Sequence, residues 1–397
     1  MTKKIIKKKL LWLGISLGIL LAIAIFFIVP EICAKDYIKT SLQNLNIIKS
    51  EEIPIENAEE GIVITHLETP KPLKAVYMTS WVAGTNSMRE KVFNIIDRTE
   101  LNAIVIDIKD YTGRIAFPVS DPYLQKIGSS ENRIRDIKEL IDELHKKNIY
   151  VVGRISVFQD PFLVKSRPDL AVKKSSDKNS VWKDKKGISW LDAGSKEVWI
   201  YTVAIAKEAY AVGFDELNFD YIRFPSDGNM KDIYYPISEG KIKTDVMREF
   251  FKYMNENLSD TEMKISADVF GMVATNTDDL GIGQNLEDAV EYFDYVSPMV
   301  YPSHFPPNWN GFKNPAEKPY ETVKISMDKA VERMRVISKD INKIRPWLQD
   351  FNLGAKYTKE LVRAQIKATY DTGLDSWMLW DSSNTYTEEA LLPNYFQ

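Results

Sequence analysis

Two aspartates on neighbouring apolar runs are the side chains best placed to do chemistry in this sequence. In ELNFDYIRFP (216–225) Asn218 and Asp220 alternate with Leu217, Phe219 and Tyr221, and in KISADVFG (264–271) Ser266 and Asp268 alternate with Ile265, Ala267 and Val269. Successive side chains of a strand point to opposite faces, so each run has one apolar face to bury and one polar face that ends in a carboxyl group. Paired carboxylates are what cleavage of a glycosidic bond needs, one to attack or orient water and one to protonate the leaving oxygen. Other runs add Asp107 and Lys109 on a common face, and Arg154; Arg223 follows Asp220 closely. The cations Lys109, Arg154 and Arg223 are placed to hold neighbouring acids at different pKa values, so that one stays ionised while another keeps its proton.

The elements that must position these residues read as eight short strands: 74–81, 102–110, 149–158, 216–225, 264–271, 295–303, 345–351 and 375–383. Their β-branched and aromatic content suits parallel strands covered on both faces. Between them the period changes. In 134–148, Ile134, Ile137, Leu140, Ile141 and Leu144 recur at spacings of three and four, and 196–212, 245–258, 322–338 and 358–372 behave alike, as amphipathic helices do. Gly213, Gly373, Asn102 and Asn148 lie just before strands, where a residue tolerant of left-handed geometry ends a helix. Regular alternation of strand and helix predicts an α/β fold with a parallel sheet, here a (β/α)8 TIM barrel. An open doubly wound sheet is the competing architecture, but the first turn, WVAGTNSM (81–88), has a lone Gly84 where that fold uses a glycine-rich loop.

Barrel enzymes keep their chemistry at the C-terminal ends of the strands. Asp107, Asp110, Asp160, Asp220, Asp268, Asp350 and Asp381 all fall at or just past such ends, on six of the eight runs. Any one of them can be a buried ion pair that only organises the core; their convergence on one rim favours a site. Tyr301, Trp309, Trp347 and Trp380 are large aromatics near the same rim, and flat rings stack on sugar C–H edges. Such residues more often fill the barrel top, so Tyr301 and Trp380 alone are kept as substrate-binding candidates, beside Asp107, Lys109, Arg154, Arg223 and Asp350. Segments 159–195, with Trp182 and Trp190, and 302–312 read as insertions on the same side.

Composition removes other chemistries. The three histidines, His66, His145 and His304, form no pair at ligand spacing, which argues against a metal hydrolase, so no metal and no other cofactor is expected. No Gly-x-Ser-x-Gly elbow is present. The single Cys33 cannot form an internal bridge. Without the five lysines at 3, 4, 7, 8 and 9, the formal charge of −4 becomes −9, which argues against nucleic acid as a partner.

Those lysines precede 20 uncharged residues, Leu10 to Val29, long enough to cross a hydrocarbon core of ~30 Å. The sequence therefore predicts a cytoplasmic basic tail (1–9), a single transmembrane helix (10–29), an extracellular spacer (30–72) and an extracellular barrel domain (73–397) at the cell membrane. A cleaved signal peptide is the rival, and PEICAKD (30–36) is a poor cleavage site for it.

The ordered motifs ELNFDYIRFP, SADVFG (266–271), PMVYPSHF (298–305), PWLQDF (346–351) and WMLWDSSN (377–384) resemble a bacterial glycoside hydrolase family that is classed among domains of unknown function, within the TIM-barrel glycosidase superfamily. The resemblance spans roughly residues 73–391. It implies the barrel fold and action on carbohydrate, and by similarity to amylase-like barrels it implies Asp220 as nucleophile and Asp268 as acid/base. Those barrels carry Glu on the fifth strand and Arg two positions before the nucleophile, where this chain has Asp268 and Asn218. Asp107 and Asp350 are the reserves. The expectation is a membrane-anchored glycoside hydrolase acting on a polysaccharide or cell-wall glycan; the alternative is a non-catalytic barrel that binds such a glycan. Retention or inversion, the linkage and the oligomeric state stay open. On intact cells, external protease is expected to release a barrel-sized fragment while the N-terminus stays protected; a soluble secreted protein beginning near Ala34 would instead show cleavage.

Overall fold

The computed structural model describes residues 62–259 and 261–394. The basic tail, the apolar span 10–29, Cys33 and most of the spacer lie outside the described residues. Among the described residues no helix is long and apolar enough to cross a membrane.

Eight parallel strands close into a barrel in sequence order: β1 (Lys74–Met78), β2 (Ala103–Lys109), β3 (Tyr150–Ser156), β4 (Glu216–Asp220), β5 (Lys264–Phe270), β6 (Tyr295–Met299), β7 (Trp347–Gln349) and β8 (Trp377–Trp380), with β8 paired back to β1. All eight expected strands form. Closure is thinnest at β6 and β7, which share the single register pair Met299 and Trp347.

Among the described residues the longest helix after each of β1 to β7 is, in turn, α1 (Asn86–Arg98), α2 (Ile137–Lys146), α3 (Lys196–Ala211), α4 (Lys243–Leu258), α5 (Leu286–Tyr292), α6 (Pro319–Val336) and α7 (Lys359–Asp371). In α2 the residues Ile137, Leu140, Ile141 and Leu144 are all buried, as their spacing requires. Ile134 is buried too, but its N–H bonds the Ala116 carbonyl, so the helix begins three residues later than the periodicity suggested. Asn148 (φ 57°), Gly213 (φ 118°) and Gly373 (φ 87°) take the left-handed geometry expected before a strand. Asn102 does not; its side chain accepts from the Lys74 N–H and donates to the Pro72 carbonyl, tying β1 to β2. The eighth helix of the expected fold is not found among the described residues. Instead the chain folds back after β8: Pro393 pairs with Thr99 and the Leu392 carbonyl accepts from the Glu100 N–H.

Two shells of core result. Outward residues such as Ile104, Ile106, Leu217, Phe219, Ala267 and Val269 pack under the helices, while Ala75, Tyr77, Val105, Tyr150, Val152, Trp347 and Met378 fill the barrel. At its N-terminal end the interior is closed by a buried ion pair, Glu216 to Arg345 at 2.9 Å, with the Tyr150 hydroxyl donating to the same carboxylate. Removing one partner of such a pair strands a charge without solvent. Arg345→Met is expected to cost about 3–5 kcal/mol. The double variant with Glu216→Leu should recover most of that loss, as read from equilibrium denaturation midpoints.

Candidate active site

Inward positions of four adjacent strands meet at the C-terminal end of the barrel. Arg154 on β3 lies between three aspartates. Its Nη1 donates to Asp107 on β2 (2.6 Å), its Nη2 donates to Asp220 on β4, and its Nε lies 3.8 Å from Asp268 on β5. Register places these residues side by side: Asp107 against Arg154, Arg154 against Asn218, and Asn218 against Ser266, two positions before Asp268. Burial works against the Arg154 charge, but Asp107 and Asp220 outweigh it and hold the pKa well above the usual arginine value.

The three acids are not equivalent. Asp107 also accepts from the Tyr77 hydroxyl, and burial raises its pKa against the pull of Arg154 and Tyr77. Asp220 accepts from the Tyr221 backbone N–H. Tyr221 has φ 54°, a conformation that costs a non-glycine residue about 1–3 kcal/mol and that marks functional turns when the surroundings enforce it. This turn breaks the strand's alternation at its tip. The Tyr221 ring meets Trp190 edge-on at 5.7 Å, and its hydroxyl senses Asp220, Arg154 and Arg223, so it is half-buried at the mouth rather than wholly beneath the helices as alternation implied.

Asp268 is completely buried. Burial first, then the charge of Asp220, pushes its pKa up to about 8, against the lowering effect of Arg154, Asn218 and Trp347. Its Oδ1 accepts from the Trp347 indole N–H (2.8 Å) and from the Asn218 amide (2.9 Å). An indole N–H can only donate, so Oδ1 is an acceptor and the retained proton belongs on Oδ2. Among the described residues Asp268 Oδ2 has no hydrogen-bond partner; nor do Arg154 Nε, Asn218 Oδ1 and Ser297 Oγ. Ser297 of β6 lies against Asp268 in register. Four unsatisfied polar atoms thus gather on one wall, each costing about 1–3 kcal/mol.

Of the aromatic candidates, Tyr301 is buried among the acids, close enough to Asp268 and Asp220 for both to raise its pKa in addition to burial. Trp380 is half-buried, stacks on Tyr77 (3.8 Å between centroids) and stands 4.9 Å from the Arg154 guanidinium. Trp309 packs against Phe305, and Trp182 and Trp190 are buried in the loop after β3.

Two expected site residues are placed elsewhere. A register shift between Asp107 and Lys109 sets Lys109 beside Ile155, an outward position; its ammonium bonds Asp160 (2.8 Å) and the Ser156 carbonyl beneath α3. A bulge adds one residue and so reverses the face, which strict alternation cannot anticipate. Asp350 shares the outer face of β7 with Leu348; its carboxylate accepts from the Thr387 N–H and hydroxyl, and burial raises its pKa to about 6. Arg223 makes no ion pair with the three acids. Asp110, Asp160 and Asp381 likewise serve loops, through Arg133, the Leu163 N–H and Ser383. Among the described residues no group of three or more His, Cys, Asp and Glu is placed to hold a metal ion. Tyr77 and Asn218 complete the site and were not among the candidates, although alternation had already turned Asn218 inward; Trp347, considered as a stacking surface, is instead a buried donor.

The closed eight-stranded parallel barrel is a fold shared with solved glycoside hydrolase structures. The glycoside hydrolase domain of PgaB (BpsB) from Bordetella bronchiseptica matches with TM-score 0.58 and 13% identity, over 79% of this chain and 94% of that one. A chitinase from Chromobacterium violaceum matches with TM-score 0.50 and 13% identity, over 80% and 96%. A hypothetical protein from Ruminiclostridium thermocellum is 36% identical over 49% of this chain and 97% of its own, with TM-score 0.45. No curated protein matches the chain. The chain belongs to the family described as "putative glycosyl hydrolase domain", whose profile matches residues 75–386.

Asp268 provides a direct check on the site's electrostatics. A carboxyl group whose pKa is higher in the folded than in the unfolded state stabilises fully below the unfolded value, and the contribution is lost as pH rises toward the folded one. As pH rises from about 4 to about 8, the parent should lose stability relative to Asp268→Asn, which does not titrate. Parallel stability curves for the two proteins would show that Asp268 is not protonated.

Proposed function

We propose that the barrel hydrolyses glycosidic bonds of a polysaccharide, with Asp220 as nucleophile and Asp268 as general acid/base. The observation that carries this is the difference between the two carboxyl groups: Asp220 is hydrogen-bonded in an ion pair to Arg154, whereas Asp268 is buried with Arg154 Nε no nearer than 3.8 Å to its Oδ2, has its pKa pushed up to about 8, and leaves that oxygen without a hydrogen bond from the described residues. A carboxyl group with a raised pKa beside one held in an ion pair supports a general acid beside a nucleophile. Asp220 would attack the anomeric carbon while Oδ2 of Asp268 passes its proton to the leaving oxygen; Asp268 would then deprotonate the water that releases the sugar. Arg154 would hold Asp220 in position, and Tyr301 and Trp380 would wall the subsite. The same reading places the barrel outside the cell, anchored by the apolar segment 10–29.

A specific observation favours the rival, a barrel that binds glycan without cleaving it: Asp107, Asp220, Asp268 and Arg154 are all nearly sealed from solvent, as purely structural networks are. The variants separate the two. Asp220→Asn is expected to fold and bind glycan but to lose at least ~10³-fold in kcat. Asp268→Asn should lose ~10²–10⁴-fold on natural glycan and much less on activated aryl glycosides, whose leaving groups need little protonation. Parent activity should fall as pH rises through about 8, where the acid loses its proton. A parent inactive on a broad glycan panel, with both variants binding like it, would leave the binding barrel standing.

A further inference from the structure

Arg223 is a buried cation that the cleaving pair does not use. It is 7% exposed, yet among the described residues no carboxylate lies within ion-pair distance of it, whereas Arg154, Lys109 and Arg133 each have one. Its guanidinium stands 4.5 Å from the Phe270 ring centroid, 4.9 Å from Trp190 and 5.3 Å from Tyr221. Nη1 donates to the Phe224 carbonyl (3.1 Å) and the Ser226 hydroxyl (3.2 Å). Among the described residues Nε and Nη2 have no acceptor, and neither is among the polar atoms sealed from solvent. Asp220, Asp227 and Asp184, though beyond ion-pair distance, are close enough to act on its charge, and burial still lowers its pKa.

Three aromatic rings, two neutral acceptors and carboxylates beyond ion-pair distance are weak compensation for a desolvated arginine. Cation–π contacts offset part of the loss, but an ionised group out of water ordinarily requires an opposite charge. The free Nε and Nη2 form one edge of the planar fork, the edge that takes a planar carboxylate through two parallel hydrogen bonds. Tyr221 and Phe270, both partly exposed, offer apolar surface near the guanidinium to a sugar ring, while the fully buried Trp190 backs it.

We propose that Arg223 is the receptor for a carboxylate carried by a sugar next to the scissile bond, so that the substrate is an acidic, uronate-type polysaccharide. This rests on the reading of Asp220 and Asp268 as the cleaving pair, and the test is therefore a binding measurement that does not depend on turnover. Equilibrium binding to the full chain would be compared for polygalacturonate, alginate, glucuronan and hyaluronate, for their carboxyl-reduced forms, and for poly(glycerol phosphate) as a phosphate source. The parent should bind at least one polyuronate about 10–100-fold tighter than its reduced form. Arg223→Gln should abolish that ratio, and Arg223→Lys, which keeps the charge without the fork, should restore it only in part. The proposal is overturned if the parent binds acidic and reduced polymers alike, if Arg223→Gln leaves the ratio unchanged, or if poly(glycerol phosphate) is preferred. If Arg223→Gln does not fold, Arg223→Lys decides alone, an unaltered ratio counting against the proposal. Arg223-dependent binding by a parent that cleaves none of the polymers would sustain this inference while removing the hydrolase reading.

Discussion

The mouth of the barrel is organised by one guanidinium shared among three carboxyl groups. Arg154 touches Asp107 and Asp220 directly and approaches Asp268, drawing inward positions of β2, β4 and β5 onto β3. One positive charge cannot neutralise three negative ones where solvent is excluded. The deficit falls on the most deeply buried acid, Asp268, whose pKa burial and the charge of Asp220 push up to about 8. The bulge in β2 is part of this balance. Had the strand kept its register, Lys109 would have brought a second cation to the cluster; turned outward, it pairs with Asp160 instead. A local irregularity of backbone thus helps set which carboxyl group is an acid.

The fold was legible because its signals are periodic and repeated. All eight strands and the main helices could be read from spacing, and the inward direction of Asn218, Asp220, Ser266 and Asp268 followed from alternation alone. What could not be read depends on single departures from that period. The bulge turned Lys109 away, the positive φ at Tyr221 swung that ring to the mouth, and the outward phase of β7 took Asp350 to Thr387. Acids at strand ends mark the rim where the cluster forms but overstate its membership, because Asp110 and Asp381 bond loop residues there and Asp160 caps a short helix and pairs with Lys109. Tyr77 carried no sequence signal, since a tyrosine on β1 is as apt to fill a barrel as to bind Asp107.

The loops after β3 and β4 act as one unit. Lys173 bridges both Val181 and Tyr234, and Asp192 accepts from the Ile237 and Ser238 N–H groups, so the two segments are woven together beside the mouth. Trp190 from the first loop and Tyr221 and Arg223 from the second therefore meet as a preformed wall. Rigidity here has a physical use, since a wall already in place loses little conformational freedom when a ligand binds.

The two ends of the barrel interior contrast in how completely their polar groups are satisfied. At the N-terminal end Glu216 is met by Arg345 and Tyr150, and that end closes the core. At the C-terminal end Arg154 Nε, Asn218 Oδ1, Asp268 Oδ2 and Ser297 Oγ lack hydrogen-bond partners among the described residues, on consecutive strands and in adjacent register. A fold selected for stability alone would have little reason to place that cost on one wall, because burial of apolar side chains of the same volume would be cheaper. Stability given up at one place is expected where a second requirement competes with folding. Donors and acceptors that the protein leaves unpaired can be paired by a substrate, and most strongly by one whose charge develops as its bond breaks.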